Sequence, residues 1–177
     1  MNPEPLASQA RWPNVPACYG WLTLDARGRW RLGEDGGEPV QHEGLANYLN
    51  RNYTVSERGE WFVQNGPQRV YVTLTRAPFI VRLAEAGAWQ THTGLLVRHI
   101  AEALIDADGN AYLTCEHGLA GIDDRDLAGL LESAAVGDES MGGMAVTLGN
   151  GQLLLDQVDA ADLPGRFGFV LQPNPSA

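Results

Sequence analysis

The second half of this chain repeats the outline of its first half, and an internal repeat restricts the choice of fold more than composition does. Asp25-Ala-Arg-Gly-Arg-Trp-Arg-Leu32 returns as Asp106-Ala-Asp-Gly-Asn-Ala-Tyr-Leu113. Leu45-Ala-Asn-Tyr-Leu49 returns as Leu127-Ala-Gly-Leu-Leu131, and Asn65-Gly-Pro-Gln68 as Asn150-Gly-Gln152. The offsets are 81, 82 and 85 residues, in unchanged order. Two copies of about 85 residues lie near the lower limit for burying a core alone, so the repeat predicts two small domains packed on each other.

Length and composition agree with a packed globular chain: 177 residues, 44% of them hydrophobic. No apolar run reaches the roughly 18 residues that a membrane-spanning helix needs. Met1-Asn-Pro-Glu-Pro-Leu6 lacks the basic-then-apolar order of a signal peptide. Cys18 and Cys115 are too few for a disulfide framework, so a cytoplasmic setting is expected. The charge is unevenly divided, with 10 arginines and 9 acids in residues 1–98 against 2 arginines and 13 acids in residues 99–177. Such an acidic surface repels the backbone of duplex nucleic acid. An anionic partner is expected to meet the first half.

Prolines at 3, 5, 13 and 16 mark residues 1–18 as an extended arm, and 173–177 read as a tail. Between them lie a first domain over 19–85 and a second, acidic one over 86–172. In the first, Trp21–Leu24 and Arg29–Leu32 flank the turn Asp25-Ala-Arg-Gly28, with glycine where positive φ is needed. A glycine-rich loop, 33–37, precedes a helix over 42–50 with Leu45, Tyr48 and Leu49 as its buried stripe. Strands follow at Tyr53–Val55, Trp61–Val63, Arg69–Thr75 and Phe79–Val81. In the second, Leu95–Ile105 and Ala111–Cys115 flank the turn Asp106–Gly109, and Asp123 or Asp124 caps a helix carrying Leu127, Leu130, Leu131 and Ala134 on one face. Ala135–Gly143 reads as an insertion. Met144–Leu148 and Gln152–Val158 pair across Asn150-Gly151, and Arg166–Leu171 closes the domain as a strand after a turn at Leu163-Pro-Gly165. Each half reads as two strands, a helix and three strands: an α+β fold of two pseudo-repeated domains, each a mainly antiparallel sheet with one covering helix.

Trp61-Phe-Val63, and Gly66-Pro67 leading through Arg69-Val-Tyr-Val72 to Ala77-Pro-Phe79, resemble a bacterial family of uncharacterised proteins. The resemblance implies a duplicated α+β domain whose second half is superficially like a pleckstrin-homology fold. It also implies a nucleotide-like or nucleic-acid-like ligand at the domain interface, and it transfers no catalytic residue.

The remaining motifs point to local structure. Asp106, Asp108 and Asn110 open like a calcium loop, but Ala111 and His117 stand where that loop needs glycine and glutamate. Cys115 and His117 would share a strand face with His99 nearby, yet no further ligand pair has zinc spacing and no third group orients a Cys–His nucleophile, so no metal or cofactor is expected. The glycine-rich loops lack the lysine of a phosphate loop; the chain has no lysine at all. Trp21, Trp30, Tyr48, Trp61, Phe62 and Tyr71 could stack bases if exposed, but most occupy expected core positions.

Arg27, Arg29 and Arg31 are spaced by two, which on a strand gives one guanidinium stripe suited to phosphate or carboxylate. Arg69, Arg76 and Arg82 lie on later strands and could join it. The expectation is a non-enzymatic protein that binds a small anionic ligand, nucleotide-like or phosphorylated, near the crevice between domains. Arg27, Arg29, Arg31 and Arg69 would be its contacts. The competing expectation is a protein–protein adaptor using sheet edges or the proline-rich arm.

Overall fold

The computed structural model describes residues 15–84, 87–132, 135–136, 144–148 and 151–175. Most of the expected arm, most of the Ala135–Gly143 insertion, and Asn150 of the expected turn lie outside these residues. The chain is an α+β protein whose strands form two sheets. It divides into two compact units: Met1–Asp25, Arg29–Thr75 and Phe169–Ala177 in the first, Ala26–Gly28 and Arg76–Gly168 in the second.

In the first unit the elements are β1 (Cys18–Leu24), β2 (Trp30–Leu32), β3 (Glu38–Pro39), α1 (Glu43–Arg51), β4 (Tyr53–Val55), β5 (Trp61–Asn65) and β6 (Gln68–Leu74). The sheet runs β3-β2-β1-β6-β5-β4, antiparallel except where β1 lies parallel to β6. Leu22, Leu24, Val63, Val72 and Leu74 are buried. The helix begins one residue later than expected because the His42 ring caps it, Nδ1 accepting from the Leu45 N–H at 3.2 Å. Its buried stripe is narrower than the spacing predicts. Leu49 alone is buried; Leu45 is exposed, and the Tyr48 hydroxyl reaches Asn65 Oδ1 at 3.1 Å. The Trp30 indole N–H donates to Asn50 Oδ1 at 2.7 Å and ties the helix to β2.

The second unit holds β7 (Phe79–Leu83), β8 (Trp89–Thr91), β9 (Leu96–Val97), β10 (Ile100–Ile105), β11 (Ala111–Cys115), β12 (Gly118–Ile122), α2 (Asp124–Glu132), β13 (Ala135–Val136), β14 (Met144–Leu148), β15 (Gly151–Gln157) and α3 (Leu163–Phe167). Its sheet runs β13-β14-β15-β10-β11-β12-β7-β8-β9. Phe79–Val81, expected to end the first half, instead forms β7 beside and parallel to β12. Pro78 has no N–H to continue the ladder from β6, and pairing resumes in the other sheet. Leu163–Phe167 is a helix rather than turn and strand: Pro164 sits in its first turn, where no N–H is needed, and Gly168 ends it with φ 67°. The chain then returns to the first unit, where Leu171 O accepts the Leu74 N–H at 2.8 Å and Val170 bridges to Glu60.

The two sheets repeat one register. Leu22↔Leu32, Thr23↔Arg31 and Leu24↔Trp30 in β1–β2 correspond to Ala103↔Leu113, Leu104↔Tyr112 and Ile105↔Ala111 in β10–β11. Leu22↔Val72 in the parallel pair β1–β6 corresponds to Ala103↔Leu155 in β10–β15. Phe62↔Tyr71 and Gln64↔Arg69 correspond to Ala145↔Leu154 and Thr147↔Gln152. The offset is 81 through the first hairpin and 83 in the last strands, not 85. In the helices, buried Leu49 matches buried Leu130 at an offset of 81, whereas Leu131 is exposed. Each half also carries a third strand before its helix, β3 or β12, in segments too short or glycine-rich for periodicity to reveal.

Candidate functional site

The turns that open the repeat explain two of the three stripe arginines. Asp25 and Asp106 each bond the backbone four residues ahead: Asp25 N–H to Arg29 O and Asp106 N–H to Asn110 O, both at 3.0 Å. Asp25 Oδ1 accepts the Arg29 N–H at 3.0 Å, and Asp106 Oδ1 the Asn110 N–H at 2.8 Å. The other carboxylate oxygens are held by side chains at matching positions. Arg29 Nε donates to Asp25 Oδ2 at 2.8 Å, as Asn110 Nδ2 does to Asp106 Oδ2 at 2.9 Å. Arg31 NH1 lies 3.8 Å from Asp25 Oδ2, and the Tyr112 hydroxyl donates to Asp106 Oδ2 at 2.9 Å. Arg29 and Arg31 therefore do in the first turn what Asn110 and Tyr112 do in the second. Arg31 also pins the glycine-rich loop, donating from Nε to Gly36 O at 2.8 Å and from NH2 to Gly37 O at 2.9 Å.

The stripe is not continuous. Strand β2 starts at Trp30, and Arg27 sits in the turn beside Gly28, whose φ is 72°. Within the second unit Arg27 forms a bidentate pair with Asp124, Nε to Oδ1 at 2.9 Å and NH2 to Oδ2 at 2.8 Å. Arg82 reaches Asp126 Oδ2 at 3.1 Å, and Arg76 donates to Ile122 O at 3.3 Å. Arg29 and Arg31 converge on Asp25, whereas Arg27 is taken by Asp124 and Arg69 shares neither carboxylate.

Arg69 lies on β6 in a hollow of about 540 Å³ in the first unit. A bulge builds this hollow. Cys18 pairs with Val70 and Leu22 with Val72, so Tyr19, Gly20 and Trp21 together oppose Tyr71, with Gly20 at φ 75°. The bulge lays the Tyr19 ring on Tyr71, centroids 4.5 Å apart and planes within 5°, and leaves Trp21 51% exposed. Burial, then the neighbouring Tyr71 through its charge and a hydrogen bond, hold the Tyr19 hydroxyl above its ordinary pKa. Arg69 lies over the Phe62 ring, 4.8 Å from its centroid, and Phe62 leans on Tyr71 at 5.6 Å. Among the described residues its guanidinium has no carboxylate within ion-pair distance. Arg58, Glu57 and Glu60 complete the polar lining. Glu60 is turned onto Ser56, Oε2 to Oγ 3.3 Å, and the Ser56 hydroxyl oxygen also accepts the Arg58 and Glu60 N–H groups.

The sequence grouped Arg69 with the stripe, and the structure gives it different neighbours: Phe62, Tyr71 and Tyr19. The signal for them was Gly20, which inside a strand marks a bulge. Gly20→Ala meets no atom within 4 Å, so its effect comes from backbone strain. It should lower stability by about 1 kcal/mol in urea denaturation and displace Tyr19 from the hollow.

No cluster of metal-ligating side chains occurs among the described residues. Cys115 Sγ donates to Gly118 O at 3.4 Å, and burial pushes its thiol up, away from thiolate chemistry. His117 Nε2 bonds Leu96 O at 3.0 Å. The His92 ring accepts the Ile80 N–H at Nδ1, 3.2 Å, and burial lowers its pKa to about 3, so it is neutral. Of the aromatics weighed for stacking, Trp30, Phe62 and Tyr71 are buried.

Fold and hollow together define an α+β scaffold of two sheet-based units. The chain belongs to the family described as "Protein of unknown function (DUF2946)", whose model matches residues 2–174. A search among curated proteins finds no match. The fold is similar to the crystal structure of a DUF1285 family protein from Silicibacter pomeroyi DSS-3, with a TM-score of 0.55 and 17% identity over 80% of this chain and 83% of that one. A DUF1285 family protein from Shewanella baltica OS155 aligns at a TM-score of 0.46 and 16% identity, over 64% of this chain and 91% of that one. No helix of the described residues is long and apolar enough to cross a membrane.

Proposed function

We propose that this protein binds a small anionic ligand, nucleotide-like or phosphorylated, in the aromatic hollow of its first unit, with Arg69 as the anion contact. The observation that carries the reading is a guanidinium held over Phe62 with no carboxylate partner among the described residues, beside the Tyr19–Tyr71 stack. A planar cation of this kind pairs with two oxygens of a phosphate or carboxylate. The ring faces favour a ligand with a flat apolar part. Arg27, Arg29 and Arg31 enter the proposal as scaffold, since each already holds an acceptor of the chain.

Two broader points belong to the same reading. The common register of the two sheets supports an origin by duplication, with the two copies now differing at this position, Arg69 in one and Gln152 in the other. Two unpaired thiols, Cys18 and Cys115, support a cytoplasmic setting.

Thermal-shift screening with phosphorylated metabolites tests the proposal. At least one should raise the melting temperature of the wild type, and Arg69→Gln should remove most of that rise. A flat response to every anion would count against a ligand and favour the adaptor reading.

A further inference from the structure

Among the described residues, three guanidiniums have neither a hydrogen bond nor an ion pair: Arg51, Arg69 and Arg98. Arg51 closes α1, where a cation complements the helix dipole. The other two line hollows, one in each unit. The hollow around Arg98 measures about 490 Å³ and lies in the second unit.

Register relates the two places. Gln152, on the second hollow's wall, corresponds to Arg69, and Ile100 precedes Ile105 by five residues as Tyr19 precedes Leu24. The lining chemistry has diverged. Where the first hollow has tyrosines and the charged residues Glu57, Arg58, Glu60 and Arg69, the second has Trp89, Val97, Ile100, Leu148 and Leu153. Trp89 and Leu148 are nearly buried, at 6% and 7% exposure. Among the described lining residues, Arg98 is the one that carries a charge. The Glu116 carboxylate, which could have paired with Arg98, is occupied by backbone: the Arg98 N–H at 2.7 Å and the His99 N–H at 3.2 Å.

We propose that this second hollow binds an amphiphilic carboxylate of the fatty-acid class, its alkyl chain against Trp89, Ile100 and Leu153 and its head on Arg98. Apolar burial supplies most of the affinity, and the single guanidinium orients the head by a charge-assisted bond. The acidic character of residues 99–177 opposes a long-range anion, but at physiological salt that field decays within about 8 Å. This inference stands on Arg98 and its own hollow, independently of the anion reading for Arg69.

The test titrates the full chain with decanoate and, separately, 1-decanol, below their aggregation limits, by calorimetry and tryptophan emission. Decanoate should bind and change the emission. Trp89→Phe should abolish the emission change while calorimetric binding persists. Arg98→Gln, at an exposed position, should weaken decanoate by roughly tenfold and leave 1-decanol within about twofold. Arg69→Gln should leave decanoate binding unchanged, so this site and the anion site fail separately. No decanoate binding, full emission change in Trp89→Phe, or undiminished decanoate affinity in Arg98→Gln would each overturn the proposal.

Discussion

Replacing Asp106 with alanine should lower stability by about 3 kcal/mol, one of the two largest losses expected from a single substitution in this chain. The carboxylate is 7% exposed and accepts the Asp108 N–H at 3.0 Å, the Asn110 N–H at 2.8 Å, Asn110 Nδ2 at 2.9 Å and the Tyr112 hydroxyl at 2.9 Å. Alanine strands these donors in a turn next to β10 and β11, and buried donors without acceptors carry their full desolvation penalty. Burial acts to raise the Asp106 pKa, but the bonds from Asn110, Tyr112 and Asp108 outweigh it and hold the carboxyl below its ordinary value. A depressed folded pKa contributes stability that is complete above the unfolded value of 3.8 and is lost as pH falls through the folded value. Urea denaturation at pH 7 should register the loss, and the variant's stability should fall less than the wild type's between pH 4 and pH 2. Asp25→Ala should cost less, because its carboxylate is 13% exposed and its Arg29 partner is 51% exposed.

The second large effect is expected at Asp123. Its side chain is fully buried, and it caps α2 by accepting the Arg125 N–H at 3.0 Å. Arg125 Nε and NH2 donate to its two oxygens at 2.9 and 2.5 Å, and Arg82 Nε lies 3.7 Å away. Its own N–H donates to Val81 O at 3.0 Å, and Asp126 fastens the same strand by accepting the Leu83 N–H at 3.0 Å. Asp123→Ala removes the cap and leaves two arginines without their shared carboxylate, so a loss of about 3 kcal/mol is expected. Both arginines are nearly half exposed and can turn to water, which keeps the loss from growing further. Burial raises the Asp123 pKa, but its bonds to Arg125 lower it more, to about 2 against an ordinary 3.8. Its contribution is therefore complete above pH 3.8 and disappears as pH approaches 2. Asp123→Asn, which keeps an acceptor for the Arg125 N–H but removes the charge, should recover part of the stability at pH 7.

Local chemistry made some of the fold legible in the sequence. Asp25-Ala-Arg-Gly28 and Asp106-Ala-Asp-Gly109 are hairpin turns because aspartate bonds the backbone ahead of it and glycine takes positive φ, both local effects. Alternation placed β6, and the polar-to-apolar periodicity placed α1. What depended on distant partners was not legible. Phe79–Val81 pairs with β12, some forty residues on in the chain, and no local pattern encodes that choice. Leu163–Phe167 holds proline and glycine, yet the proline fits the opening turn of a helix and Gly168 ends it. The arginine spacing at 27, 29 and 31 was legible, but the partners of these side chains, Asp25, Asp124 and the carbonyls of Gly36 and Gly37, were not. Comparison with Asn110 and Tyr112 assigns Arg29 and Arg31 to the turn. Arg69 has no such counterpart duty, which is why the proposed function rests on it.

That contrast can be measured directly by calorimetric titration with phenyl phosphate, which joins a flat ring to a dianionic head. The probe should bind the wild type, bind Arg69→Gln at least about tenfold more weakly, and bind the combined Arg27→Gln, Arg29→Gln, Arg31→Gln variant with affinity within about twofold of wild type wherever that variant remains folded. Equal affinity in Arg69→Gln and the wild type, or no binding to the wild type at all, would contradict the account.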